Sequence, residues 1–330
     1  MAVGCIVWEV NDKITVSSER SGFFHTTINP SLVTHTRRDK ASVTLLAISG
    51  EEDRRLAKEG TFLTLGQGDG LISIWYISRR SGGHYQASRT AVLQGHEKPV
   101  LALAFRGNDT LISGSAGGEV FLWRYTESLL SSGKWRRWKN FKGHVGPALS
   151  VALHPTDRLL ASGGEDGMAR LWDTSSEECL HVLSGHETQI NDVSFSHSGI
   201  FLTTCSGLLR SRGSMKGNPR TGVPSTLMVV GGDNTVKVWH VSGGRLETSL
   251  GQSQYTVRSA HFHPTDDSRL LVVNDHDELR LCQHEEETLI PGMRLVEGVR
   301  MAGFSKKGRE VVAHGTDGFI KTWRVDALPL

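Results

Sequence analysis

His144, Ser162 and Asp166 are the residue types that activate a nucleophile in acyl-transfer enzymes, and they lie in one short stretch of the chain. An imidazole between a hydroxyl and a carboxylate draws the hydroxyl proton and makes the oxygen attack. The same pattern returns as His186, Thr204 and Asp233, with histidine and hydroxyl again 18 positions apart. Each set is followed by a tryptophan, Trp172 and Trp239. Recurrence argues for a scaffold element, because a chain needs a catalytic centre only once. The elements that would hold these residues therefore matter more than the trio itself.

Those elements are short strands. The segments SIWYI (73–77), FLWRY (121–125), RLWDT (170–174), KVWHV (237–241) and KTWRV (321–325) each carry a tryptophan near the end, and RLCQH (280–284) has Cys282 in that slot. Successive slots are 48, 49, 67, 43 and 41 residues apart. Asp69, Asp166, Asp233 and Asp317 stand six residues before their tryptophans, whereas Gly117 takes that place before Trp123. Gly-His pairs in QGHEKPV, KGHVGPA and SGHETQI precede alternating strands such as LALAF. The 37 glycines against 9 prolines suit many tight turns. Period-two alternation between glycine turns predicts an all-β chain built from internal repeats.

The order Gly-His, strand, strand, Asp-containing turn, strand ending in Trp-Asp resembles the WD-repeat family over residues 43–325. The resemblance implies a β-propeller of four-stranded blades around a channel. Trp172-Asp173 alone keeps the full dipeptide. The resemblance also implies two structural tetrads, His144–Ser162–Asp166–Trp172 and His186–Thr204–Asp233–Trp239. In each, indole, hydroxyl, imidazole and carboxylate would form one buried hydrogen-bonded chain. The types suit this, since indole only donates and carboxylate only accepts. No catalytic residue is assigned.

The long spacing before Trp239 predicts an insertion at 208–232 near a turn of the fourth unit. Deleting it restores the regular repeat, although STLMVVGG (225–232) competes with IFLTTCS for the strand before that turn. Six units are recognisable, and the resemblance implies a seven-bladed ring. Residues 1–42 would give a partial N-terminal blade and closure strands, and 43–330 the six repeats. The N-terminal strands would close the ring beside 319–325, because an open ring exposes two sheet edges.

Net charge of +2, from 37 basic and 35 acidic residues, gives no global attraction to nucleic acid or membrane. Four scattered cysteines without a C-x-x-C pair fit a reduced cytoplasmic or nuclear chain. No apolar run approaches the roughly 20 residues of a membrane span. Neither phosphate-binding loops nor metal-ligand spacings occur, so no cofactor, metal or small-molecule substrate is expected. The leading function is a non-catalytic scaffold for protein–protein contacts. The resemblance implies partners bound on the narrow face, here through Glu97, Lys98, Glu187, Gln189 and Tyr255, with Arg210 and Arg212 of the insertion close by. The alternative is an RNA- or ribonucleoprotein-associated propeller. It would use Trp135, Arg136, Arg137 and Trp138 in KWRRWKNFK (134–142), together with 208–220, to pair cations with stacking rings.

Overall fold

The structure, a computed structural model, describes residues 5–10, 13–18, 43–48, 61–79, 85–107, 109–128, 131–156, 158–207, 233–250, 256–274, 279–283, 299–304, 308–315 and 320–325. Strands β1 (Cys5–Val10) and β2 (Lys13–Ser18) pair as a hairpin. Blade 1 contains β3 (Val43–Ile48), β4 (Thr61–Gln67), β5 (Ile72–Arg79) and β6 (Tyr85–Leu93). Blade 2 contains β7 (Val100–Arg106), β8 (Thr110–Ser115), β9 (Val120–Ser128) and β10 (Ser131–Phe141). Blade 3 contains β11 (Ala148–Leu153), β12 (Leu159–Gly164), β13 (Ala169–Asp173) and β14 (Cys179–Leu183). Blade 4 contains β15 (Ile190–Phe195), β16 (Phe201–Ser206), β17 (Val236–His240) and β18 (Arg245–Leu250). Blade 5 contains β19 (Val257–His263), β20 (Asp266–Asn274) and β21 (Leu279–Gln283). Blade 6 contains β22 (Val299–Phe304), β23 (Glu310–Gly315) and β24 (Ile320–Arg324).

Every blade is an antiparallel meander, and the first strand of each packs against the first strand of the next. The apolar layers lie between blades. Ile112, Val120 and Leu122 of blade 2 meet Leu160 and Trp172 of blade 3. Ala161 and Leu171 of blade 3 meet Leu202 and Trp239 of blade 4. Val236 and Val238 of blade 4 meet Phe262 and Cys282 of blade 5. Thus Trp123, Trp172, Trp239 and Cys282 each turn back onto the preceding blade. Burying a tryptophan removes 150–250 Å² or so of mostly apolar surface from water, enough to make these contacts the main inter-blade attraction.

The strand before the turn in blade 4 is Phe201–Ser206, which pairs on both sides with β15 and β17. The competing segment 225–232 does not take that place, and 208–232 as a whole lie outside the described residues. Its two ends are held together: Ser206 N donates to Thr235 O at 3.2 Å, and Asp233 accepts from Ser206 Oγ. The expected ring closure is not among the described pairings, where β24 joins β23 and β1 joins β2.

The turn between the second and third strands has one strict requirement. Gly118 (φ +86) and Gly167 (φ +72) occupy the left-handed region, and Asn234 (φ 47) takes the same place in blade 4. Asparagine is the residue that tolerates this region best after glycine. At Gly118 space is also lacking, because a Cβ would lie 2.5 Å from Gly146 O in the loop leading to the next blade. Gly118→Ala should lower stability by about 1–3 kcal/mol through backbone strain and displacement of that loop. Urea unfolding checks this, and an unchanged midpoint would refute the close approach.

Candidate functional site

The first tetrad assembles around a fully buried Ser162. Trp172 Nε1 donates to Ser162 Oγ at 2.9 Å. The hydroxyl donates a hydrogen bond to His144 Nε2, 2.7 Å away. With the hydroxyl donating to Nε2, the ring proton sits on Nδ1, 3.1 Å from Asp166 Oδ1, with Arg170 Nη1 also 2.7 Å from that nitrogen. Asp166 also accepts from the backbone N–H groups of Val145 (3.1 Å) and Met168 (3.2 Å) and from Arg170 Nη1 (2.7 Å). Burial holds the His144 pKa below its ordinary value, with Asp166 opposing. Burial works to raise that of Asp166, but the Val145 N–H and His144 outweigh it and leave it lowered. A neutral imidazole between a hydroxyl and an ionised carboxylate follows.

The second tetrad repeats this arrangement. Trp239 Nε1 donates to Thr204 Oγ1 at 2.8 Å, His186 Nε2 lies 2.7 Å from that oxygen, and His186 Nδ1 lies 2.7 Å from Asp233. Burial would raise the Asp233 pKa, yet hydrogen bonds from His186 and Ser206 bring it down to about 2. Both hydroxyls are wholly buried and already hold an indole N–H. They cannot meet a substrate as nucleophiles, so the geometry turns the trio to clamping rather than acyl transfer.

Blade 2 carries a third version that spacing alone left incomplete. Trp123 Nε1 donates to Ser113 Oγ at 2.8 Å, and His96 Nε2 lies 2.7 Å from the same oxygen. Gly117 stands where the aspartate would be. Glu119, two residues on, fills the gap: its Oε2 is 2.2 Å from where a Gly117 Cβ would sit. Its carboxylate reaches only 3.8 Å from His96 Nδ1, which has no hydrogen-bond partner among the described residues. Phe121 stacks on the imidazole at 4.2 Å. Burial lowers the His96 pKa to about 4, with Glu119 opposing. In blade 1 the hydroxyl slot holds Leu65, and the buried Trp75 Nε1 has no acceptor among the described residues. Asp69 there only receives Leu71 N at 3.0 Å.

A second clamp joins neighbouring blades through a repeated tripeptide. His154-Pro155-Thr156 and His263-Pro264-Thr265 share one tripeptide. His154 Nε2 donates to Gly199 O, and His263 Nε2 to Gly308 O, each at 3.0 Å and each in the next blade. Phe195 and Phe304 pack edge-on against these rings. HFHP (261–264) is thus an inter-blade tie at a strand end. Its signal was the repeated His-Pro-Thr.

The aromatic–basic segment forms β10, on the outer edge of blade 2. Trp135 is partly buried against the blade 1–blade 2 core, edge-on to Phe62 and Phe105. Arg137 lies over Phe121, 4.9 Å from the ring centre. Trp135 is not free to stack a base, while Arg136, Arg137 and Trp138 are exposed. Glu97, Lys98 and Glu187 are exposed and Gln189 half-buried, all on loops entering a first strand. Tyr255, Arg210 and Arg212 lie outside the described residues. Also among the described residues, no helix is long and apolar enough to cross a membrane, and no cluster of three or more metal-ligating side chains occurs.

Residues 87–124, 135–173 and 177–208 match the family described as WD domain, G-beta repeat. These matches support a WD-repeat family for the chain, and its fold is a β-propeller. It is 27% identical over 215 residues to the nuclear distribution protein PAC1 of Coccidioides posadasii, covering 62% of this chain and 42% of the relative. It is 23% identical over 274 residues to the p21-activated protein kinase-interacting protein 1-like of Xenopus laevis, covering 82% and 63%. A chain from the solved structure titled Crystal Structure of Mitotic Checkpoint Complex superposes with TM-score 0.67 at 18% identity, covering 98% of this chain and 86% of that one. This last likeness establishes the fold alone. The matches span only 42% and 63% of those two relatives' own lengths.

The network makes two predictions. Asp166→Ala strands the His144 Nδ1 proton and two backbone donors, and should cost about 1–3 kcal/mol. Asp69→Ala, which frees one exposed turn N–H, should cost less than about 1 kcal/mol. Equal losses in thermal unfolding would contradict the tetrad. The pH dependence also follows. The folded His96 takes its proton near pH 4 and the unfolded one near 6.5. Acidification across that window therefore favours unfolding, by an amount of order 1–3 kcal/mol. Asp233 has the carboxylate pattern: its stabilisation is complete above about pH 4 and is lost as pH falls toward 2. His96→Gln should flatten stability between pH 6.5 and 4, read from urea midpoints at each pH. A slope equal to wild type would refute it.

Proposed function

We propose that the chain is a non-catalytic scaffold that binds proteins of an intracellular complex, cytoplasmic or nuclear, through its narrow face. One observation carries this reading. His96, His144 and His186 are each pinned to the body of a blade, and the residue after each, Glu97, Val145 and Glu187, is exposed at the corresponding place. Three loops thus present side chains at fixed spacing without having to order on binding, which reduces the entropic cost of association. WD-repeat proteins are in general interaction scaffolds. The Xenopus relative is named as an interacting protein, which supports the same role here.

The test compares proteins captured by the full chain and by a Glu97→Lys/Glu187→Lys variant with an unchanged unfolding midpoint. Loss of the same set of proteins from the variant is the expected outcome. Retention of the whole set would move the interface away from this face.

A further inference from the structure

The outer strands of blades 1 to 4 share an irregularity. Opposite the step onto the slot tryptophan, or beside it, each slips by one residue, leaving Thr90, Trp138, Leu180 and Glu247 as the unpaired residues. In blades 1 and 4 that residue is polar. Thr90 returns its hydroxyl to Ile74 O at 3.1 Å, and Glu247 pairs with Arg245 at 2.8 Å. In the adjacent blades 2 and 3 it is apolar and open to water: Trp138 is 53% and Leu180 45% exposed. Val182, two residues beyond Leu180, is 53% exposed.

Alternation places these groups at one boundary. Val120 and Leu122 of β9 face blade 3, so Arg124 does as well, and Trp138 lies with it, its ring centre 5.4 Å from the guanidinium. Trp172 of β13 faces blade 2, and so do Arg170 and its cross-strand partner Val182. Arg136 is the cross-strand partner of Arg124. Two like charges face to face are unfavourable unless an anion joins them. Among the described residues neither arginine has a carboxylate partner, and the nearby Glu177 is engaged by Lys139 Nζ at 2.9 Å and Asn140 N at 3.2 Å.

We propose that this rim, where blades 2 and 3 meet, docks an extended partner peptide that alternates apolar and acidic side chains. The apolar groups cover Trp138, Leu180 and Val182. The carboxylates bridge Arg124 and Arg136, whose planar forks suit bidentate pairing. Charge complementarity selects acid over base. Folded RNA fits less well, since only one of the segment's rings is free to stack. The proposal deepens the scaffold reading and rests on it, but at a surface distinct from the narrow face.

Fluorescence anisotropy tests it with short labelled peptides alternating leucine with glutamate or leucine with lysine, and with a uridine homopolymer. The full chain should bind the glutamate peptide and not the lysine one. Trp138→Ser and Arg136→Glu should each weaken binding by about 10-fold or more, while Val92→Ser on the blade 1 rim and the Glu97→Lys/Glu187→Lys variant leave it unchanged. Unfolding midpoints check that the variants fold, and Arg136→Glu alone decides if Trp138→Ser does not. Absence of glutamate-peptide binding, equal binding by the rim variants, or RNA binding that alone is lost in Trp138→Ser would each overturn it. None of these results alters the capture test at the narrow face.

Discussion

An indole N–H that is buried has to find an acceptor, and in this propeller that need organises the middle of the chain. Packing a tryptophan against the preceding blade supplies the main attraction between blades. It also carries a polar donor into an apolar layer, where an unpaired group costs several times the net worth of an average hydrogen bond. Ser113, Ser162 and Thr204 answer that need from the neighbouring strand. The hydroxyl then donates to the imidazole, and in the two full tetrads a carboxylate faces the other ring nitrogen, whereas in blade 2 Glu119 reaches only 3.8 Å from it. Each tetrad is the consequence of burying one nitrogen.

The same constraint explains blade 5, while blade 1 leaves it unmet among the described residues. Blade 5 carries Cys282 in the aromatic slot, and Val272 opposite Arg280 where the hydroxyl would be. Removing the indole removes the reason for the rest of the chain of groups. Blade 1 keeps Trp75 but has Leu65 in the hydroxyl slot, and among the described residues its aspartate serves only its own turn. Blade 2 shows the opposite adjustment, in which a lost aspartate is replaced from two residues away.

What sequence could disclose follows from how local each interaction is. The strands, their order and the two full tetrads were legible because Trp172, Ser162, Asp166 and His144 lie within one repeat and keep fixed offsets. The break before Asp233 was legible for the same reason, since His186 and Thr204 hold their spacing up to the interruption. Glu119 was not, because its role depends on an absent side chain leaving room that only coordinates reveal. The ties from His154 and His263 cross to the next blade, and no offset inside a single repeat points to them. Trp135 and Trp138 are three residues apart in a basic run, yet one packs inward and the other is thrown outward by a register slip. Composition treats them alike.

The fourth blade's turn shows how little a propeller is constrained at such a place. Ser206 is hydrogen-bonded to Asp233 and Thr235, while the 25 residues 208–232 intervene along the chain. Loop-closure entropy rises only with the logarithm of length, so a far longer passage would burden the blade by little more. Such a point is a natural doorway for foreign sequence: a binding peptide, a reporter or an entire small domain whose termini lie close together can be spliced there, leaving the hydrogen-bonded frame around it intact.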